Sequence, residues 1–233
     1  MANLAYSPDI LARMDLFRGL PPAALAEAMA RGRIRRLARD TVIFTQGEAA
    51  SRAHALIEGR VRIAQSDEGG GHLLIRFIGP GDMFGTVALF TTRRYPAEAE
   101  AVTDSVEIAW TEATLLDLLG RYPQIALNVV KIVGARLQEV QERLRELATQ
   151  RVEQRLARAL LRLAEQAGQT ADGGTTIAFP LSRKDLAEMC GTTLHTASRI
   201  LTAWEKTGLA ASGRRRITLR SLSGLKTIAE GWA

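Results

Sequence analysis

Residues 181–210, LSRKDLAEMCGTTLHTASRILTAWEKTGLA, hold two helical patterns on either side of a Gly-Thr-Thr corner. Ser182 precedes the first pattern and Asp185 follows three residues later, the arrangement of an N-cap with an acid in the first turn. Leu186, Met189 and Cys190 read as its inward face. Gly191 is free to adopt the left-handed conformation that ends a helix, and Thr193 caps the next one, whose inward positions are Ala197, Ile200, Leu201 and Trp204. His195, Thr196, Ser198 and Arg199 are left facing outward. A helix of this length laid in the major groove of B-DNA brings its first two turns against base edges, where Arg donates two bonds to guanine and Ser or Thr serves phosphate or thymine. Ser182, Arg183 and Thr193, at the two helix starts, complete the set expected at DNA. The next segment, LAASGRRRITLRS (209–221), reads as a hairpin with Gly213 and the arginines Arg214, Arg215 and Arg216 at its tip, a basic wing for the DNA backbone. The same capping also occurs in helical corners that bind no DNA, so the corner alone does not decide.

Charge sharpens the reading. Residues 1–148 carry 18 Lys/Arg and 18 Asp/Glu, and residues 149–233 carry 13 and 7, so the whole net charge of +6 lies in the last third. A neutral body with a basic tail domain points to a polyanion as partner; solvated helix faces are the plain alternative. The 233 residues suffice for two modest domains. Cys190 is the single cysteine, which excludes an intrachain disulfide, a protein-only zinc cage and a four-cysteine iron–sulfur site. No apolar run approaches the roughly 18 residues of a membrane span, and the start MANLAYSPDILARMDLF carries acids where a secretory signal carries a basic stretch. No membrane association and a cytoplasmic location are expected.

From Pro123 the hydrophobic period is helical. Val130, Leu137 and Leu144 recur every seven residues, and Val133, Val140 and Leu147 form a second register three residues later, flanked by Gln, Glu and Arg. Alternating three-and-four spacing makes a narrow apolar seam, as a two-stranded coiled coil requires, and predicts a homodimer. The alternative is a helix packed on its own domain, for which Ile125, Leu127 and Ile132 leave room near the start. Before it, after the helical lead-in PPAALAEAMARGRI, short β-prone runs (TVIFTQG, AHALIEGRVRIAQ, HLLIRFIG, AEAEAVTDSVEIAWT) alternate with the glycine-bearing turns EGGGH and GPGDMFG from about Arg35 to Glu112. They predict a small antiparallel roll. After the helix come the pattern VEQRLARALLRLAEQ, a polar turn GQTADGGTT and a short strand IAFPL. The fold class is therefore α+β: a β-roll sensor domain over 1–122, a dimerisation helix over 123–150 and a winged helix–turn–helix over 151–233.

With these motifs in this order, LFRGLPP, FTQGE, LIEGRVRI and GPGDMFGTVALF followed by the long helix and the helix–turn–helix, the chain resembles the Crp/Fnr transcription regulators over nearly its whole length. FIGPGDMFGTVALF and GTTLHTASRILTAWEKTGL are most similar to the NnrR-like branch, associated with nitric oxide and denitrification genes. The resemblance implies a homodimer on double-stranded DNA, with RNA polymerase as a further partner where it activates. In relatives with an Fnr-like helix, a Glu, a Ser and an Arg spaced as residues 195, 198 and 199 read a TTGAT-like half-site; here Ser198 and Arg199 are kept and His195 replaces the Glu.

The resemblance also frames the effector. Cyclic-AMP binders place a Glu after the Gly that Gly85 matches, for the ribose, and an Arg-Ser pair beyond it for the phosphate. This chain has Thr86 and, at 95–97, Tyr95, Pro96 and Ala97. A buried ribose and phosphate without those anchors loses several hydrogen bonds, so cyclic AMP is disfavoured, with Arg94 one residue away as the remaining cation. An Fnr-type iron–sulfur cluster needs cysteines near the N-terminus, and the carbon-monoxide-sensing haem relative supplies a His where Val87 stands. An effector pocket around Gly85, Thr86, Val87, Tyr95, Pro96 and Ala97 is left, compatible with haem, another small ligand or none. His54 and His72, the histidines of the sensor half, are expected to be surface strand residues, because Glu, Gly and Arg stand nearby. A regulatory or scaffold protein using both domains for protein contacts is the competing reading, disfavoured by SGRRR and Arg199. An enzyme is weaker still: the sequence carries no nucleophile elbow, phosphate loop, paired carboxylates or metal-ligand spacing.

Overall fold

The computed structural model describes residues 6–67, 71–91, 93–171 and 173–231. The chain divides into two compact units, Met1–Ser66 with Arg76–Glu139, and Asp67–Ile75 with Val140–Ala233. The expected boundaries after residues 122 and 150 follow the ends of secondary-structure elements, whereas compactness divides the long helix itself at Glu139/Val140.

In the first unit, a short helix α1 (Asp9–Ala12), a 3-10 turn and α2 (Pro22–Arg31) lead into the strands. Strand β1 (Arg33–Leu37) precedes the first β-prone run, TVIFTQG, and begins within PPAALAEAMARGRI, which was expected to be helical. It is followed by β2 (Val42–Phe44), β3 (Arg52–Glu58), β4 (Val61–Ser66), β5 (His72–Ile78), β6 (Met83–Phe84), the short helix α3 (Thr86–Phe90), β7 (Glu98–Ala101) and β8 (Ser105–Thr111). They form two four-stranded sheets, ordered β1-β8-β3-β6 and β2-β7-β4-β5, with antiparallel pairings within them as a roll demands. The expected EGGGH turn falls partly on residues 68–70, outside the described residues. Phe44, Leu56, Val61, Ile78, Phe84 and Ala99 fill the space between the sheets. The other face of the first sheet presents Ala53, Ala55, Ile57, Ile108 and Trp110 to Leu11, Phe17, Leu25 and Leu115. Both central strands are thus buried on both faces, and their side chains alternate between two cores. Trp110 satisfies its indole N–H on Ala28 O at 2.7 Å.

A helix α4 (Glu112–Arg121), capped by Thr111, had no counterpart in the sequence reading. The long helix α5 runs Pro123–Thr149. Its start is anchored: Ile125 is fully buried, and Val129 and Ile132 pack on the same core.

The second unit holds α6 (Val152–Ala167), β9 (Gly168–Ala171), β10 (Gly174–Ile177), α7 (Arg183–Met189), α8 (Leu194–Lys206), β11 (Ala210–Gly213), β12 (Arg216–Leu219) and α9 (Leu222–Glu230). The segment read as a polar turn is a hairpin: β9 and β10 pair antiparallel and extend the wing into a four-stranded sheet, β11-β12-β10-β9. Asp172 lies outside the described residues. Leu156, Leu160 and Leu163 of α6 are buried together with Leu186, Ala197, Leu201, Trp204, Ile217 and Leu225. Trp204 donates its indole N–H to Glu153 at 2.9 Å. Among the described residues, no helix is long and apolar enough to cross a membrane.

Candidate nucleic-acid interface and effector pocket

The corner between α7 and α8 forms as its capping residues dictate. The Ser182 hydroxyl accepts the Asp185 N–H at 3.1 Å, and the Asp185 carboxylate accepts the Ser182 N–H at 2.7 Å, a reciprocal capping box. Gly191 takes φ 59°, a left-handed backbone that favours glycine. The Thr193 hydroxyl caps α8 by accepting the Thr196 N–H at 3.2 Å and bonds the Thr196 hydroxyl at 3.0 Å. Ala197, Leu201 and Trp204 are buried, so the rotation of α8 is fixed. His195 and Arg199 then stand exposed, with Ser198 and Thr196 half-buried beside them.

Two expected DNA residues have other employment. Arg183 donates to Glu205 at 3.0 Å and to Ser212 at 2.6 Å, joining α7, α8 and β11, so its charge is neutralised inside the domain. The Ser212 hydrogen bond and the Arg183 charge hold the Glu205 carboxyl below the usual range. Ser182 is half-buried in its capping box. At the wing tip the turn is Arg214-Arg215, and Gly213 is the last paired residue of β11, opposite Arg216. The left-handed position is Arg215, at φ 57°, and not the glycine. Arg214, Arg215 and Arg216 are all exposed. One residue of this surface was missed: Leu194, the first of α8, is 50% exposed. Its i, i+4 spacing to Ser198 was the available signal.

The six seam residues of α5, Val130, Val133, Leu137, Val140, Leu144 and Leu147, are between 45% and 70% exposed in the single chain. Leu127 joins them at 58%.

In the roll, Gly85 precedes α3 with φ 70°, and a Cβ there would come within 3.1 Å of both His54 and Tyr95. The Thr86 hydroxyl is buried without a hydrogen-bond partner among the described residues. Tyr95 is buried and stacks on Phe44 at 3.8 Å, and its hydroxyl donates to Arg52 O at 2.9 Å. Ala97 is buried, whereas Pro96 is exposed and its carbonyl accepts from Gln65. The Val87 side chain lies outside the described residues. Arg94 is exposed and donates to Gly47 O at 2.7 Å.

His54 contradicts its expected surface position: it is 4% exposed. Its Nδ1 lies 3.0 Å from Glu107 Oε2 and its Nε2 3.4 Å from the Tyr95 hydroxyl. Arg35, the cross-strand partner of Glu107, completes the chain at 2.6 Å. Burial pushes the Glu107 carboxyl up, but the His54 hydrogen bond and the Arg35 charge outweigh it and hold the group below the usual range. A cavity of about 200 Å³ opens beside this chain, floored by Phe44, His54, Tyr95 and Glu107 and rimmed by Arg33, Arg35 and Arg52. Its volume lies below the roughly 300–1,000 Å³ of sites for larger ligands, and His54, already engaged, does not present a ring nitrogen suited to haem iron. His72 is exposed at the start of β5. No group of three His, Cys, Asp or Glu gathers as metal ligands would among the described residues.

Comparison with known proteins agrees with both halves. Residues 34–122 match the cyclic nucleotide-binding domain model and residues 154–228 the Crp-like helix-turn-helix domain model. The chain is 30% identical over 218 residues to the cyclic AMP receptor protein of Thermus thermophilus, covering 94% of this chain and 98% of that one. It is 32% identical over 193 residues to the nitrogen fixation regulation protein FixK of Azorhizobium caulinodans, covering 82% and 77%. A solved CRP/FNR-family transcriptional regulator of Thermus thermophilus superposes with a TM-score of 0.67 at 29% identity, covering 86% and 100%. With the capped helix–turn–helix, the basic wing and the roll all in place, the chain belongs to the Crp/Fnr family of DNA-binding transcription regulators.

Proposed function

We propose that this regulator acts in the cytoplasm as a homodimer on an inverted repeat of the form TTG…CAA, under a small effector other than cyclic AMP. The observation that carries the reading is the outward face of α8, where Arg199 and His195 are exposed on a capped helix whose opposite face is locked into the core. Arg199 reads the guanine and Ser198 a thymine. Leu194 adds an apolar contact of the kind a thymine methyl offers. His195 replaces a carboxylate; neutral His donates or accepts and charged His only donates, so its base preference is looser. The exposed seam on α5 supports the dimer, at about 1.5 to 3 kcal/mol for each side chain it fully buries, before entropy costs. One helix per subunit places the half-sites about one helical turn apart. Thr86, Tyr95 and Pro96, which replace the ribose and phosphate anchors, speak against cyclic AMP.

Nitric oxide sensed through haem rests on the resemblance to the NnrR-like branch alone. An absorption spectrum after anaerobic haem reconstitution, with and without nitric oxide, tests it: a Soret band at stoichiometric haem supports it and no band removes it. RNA polymerase enters as a partner where the bound dimer activates. The dimer reading is tested by sedimentation of the Leu137→Asp/Leu144→Asp protein. Monomers that no longer hold a TTG…CAA duplex are expected, and a double variant that stays dimeric would show the seam to be wrong.

A further inference from the structure

We propose that the cavity rimmed by Arg33 and Arg52 binds a small anion, a carboxylate- or phosphate-bearing molecule of a few heavy atoms. Both residues line this one cavity, and neither has a hydrogen bond or ion pair for its side chain among the described residues. The lining carries Arg33, Arg35 and Arg52 against the two acids Glu48 and Glu107, an excess of one positive charge. Glu107, in the floor, is held by Arg35 and His54, and Glu48, on the rim, accepts the Thr45 N–H at 3.0 Å.

Arg33 is exposed and Arg52 half-buried beside a buried aromatic floor, and with Arg35 they outnumber the acids of the lining. Their planar forks match a carboxylate or phosphate. Size narrows the class. At about 30 Å³ for a water's share of the liquid, 200 Å³ seats an acid group with a short body.

The site is not the pocket expected around Gly85 and Thr86, with which it shares only Tyr95. It does touch that loop: the Phe44, His54 and Tyr95 rings in its floor are the three that close on Gly85, at the head of α3. An occupant pairing with the rim arginines competes with Glu107 for Arg35 and bears on the loop through those rings. The site shares no residue with the α5 seam or with α8.

The test is calorimetric titration and thermal melting of the full chain, without DNA, against inorganic phosphate and against succinate, with ionic strength held constant by chloride. Saturable binding of at least one probe is expected. It should weaken at least about tenfold in Arg33→Gln/Arg52→Gln, weaken less in Arg52→Lys, which keeps the charge without the fork, and persist when Arg214, Arg215 and Arg216 are all changed to Gln. Absence of saturable binding by both probes would overturn the site. So would binding that the Arg33→Gln/Arg52→Gln protein retains and the wing variant loses, since the anions would then sit on the wing.

Discussion

Arg199 on α8 and Arg35 on β1 carry the same charge under opposite constraints. Arg199 is exposed and has no partner for its side chain among the described residues. Arg35 lies directly across the strand pair from Glu107 and is held on it at 2.6 Å. One charge is left open for a partner outside the chain, and the other is closed within it to keep a carboxylate buried. The long helix repeats the contrast with apolar groups, since Ile125 is fully buried in its own unit while Val130 is 70% exposed. In each case the residue type alone is the same or similar, and what differs is whether the fold has already satisfied it.

The contrast can be broken at either end. Glu107→Gln should cost the most stability, about 2 to 4 kcal/mol, because it leaves a buried histidine and an arginine without their carboxylate; the figure is held down because the Arg35 side chain is 44% exposed. The pH dependence has a definite sign. The Glu107 carboxyl is held below its ordinary 4.5, so its contribution is present above that value and is lost as pH falls through the lower, folded one. Denaturant midpoints taken from pH 6 down to pH 3 should therefore fall more steeply for the natural chain than for Glu107→Gln; parallel curves would show that the carboxylate is not the group responsible.

At the open end, Arg199→Ala should leave stability within about 0.5 kcal/mol while costing about 1 to 3 kcal/mol of DNA affinity per half-site. A large drop in the melting temperature would show that Arg199 is a structural charge after all. The smallest effect belongs to the wing. Changing Arg214, Arg215 and Arg216 to Gln should weaken every duplex similarly and reduce the salt slope by about 0.9 for each phosphate that the wing no longer neutralises, so binding measured against salt on specific and scrambled duplexes separates the wing from α8.

The open end was largely legible in the sequence. Helical spacing and capping are local, so Ser182, Gly191, Thr193 and Trp204 announce the corner within one short stretch, and the seven-residue period announces the seam. The closed end depends on pairings distant in sequence: His54 meets Glu107 from 53 residues away, and Arg35 meets it from 72. Nearby Glu, Gly and Arg suggested solvent at His54, but Ala53, Ala55 and Ile57 on one face and Leu56 on the other mark a strand buried on both sides, and that alternation was the better guide. The partners of Arg183 were hidden for the same reason, since nothing local to it reveals that Glu205 and Ser212 lie within reach. Helix α4 and the β9–β10 hairpin were missed because a leucine-rich run following a strand and a glycine-rich polar segment each admit a second local reading.

Selection of binding sites from a random duplex library, run in parallel with the natural chain and with Arg199→Ala, tests the reading of DNA by α8 most directly. The natural chain should enrich inverted repeats with TTG half-sites about one helical turn apart, and the variant should lose discrimination at the guanine while keeping the rest of the pattern. Enriched sites without a TTG half-site, or an Arg199→Ala protein with unchanged preference, would contradict it.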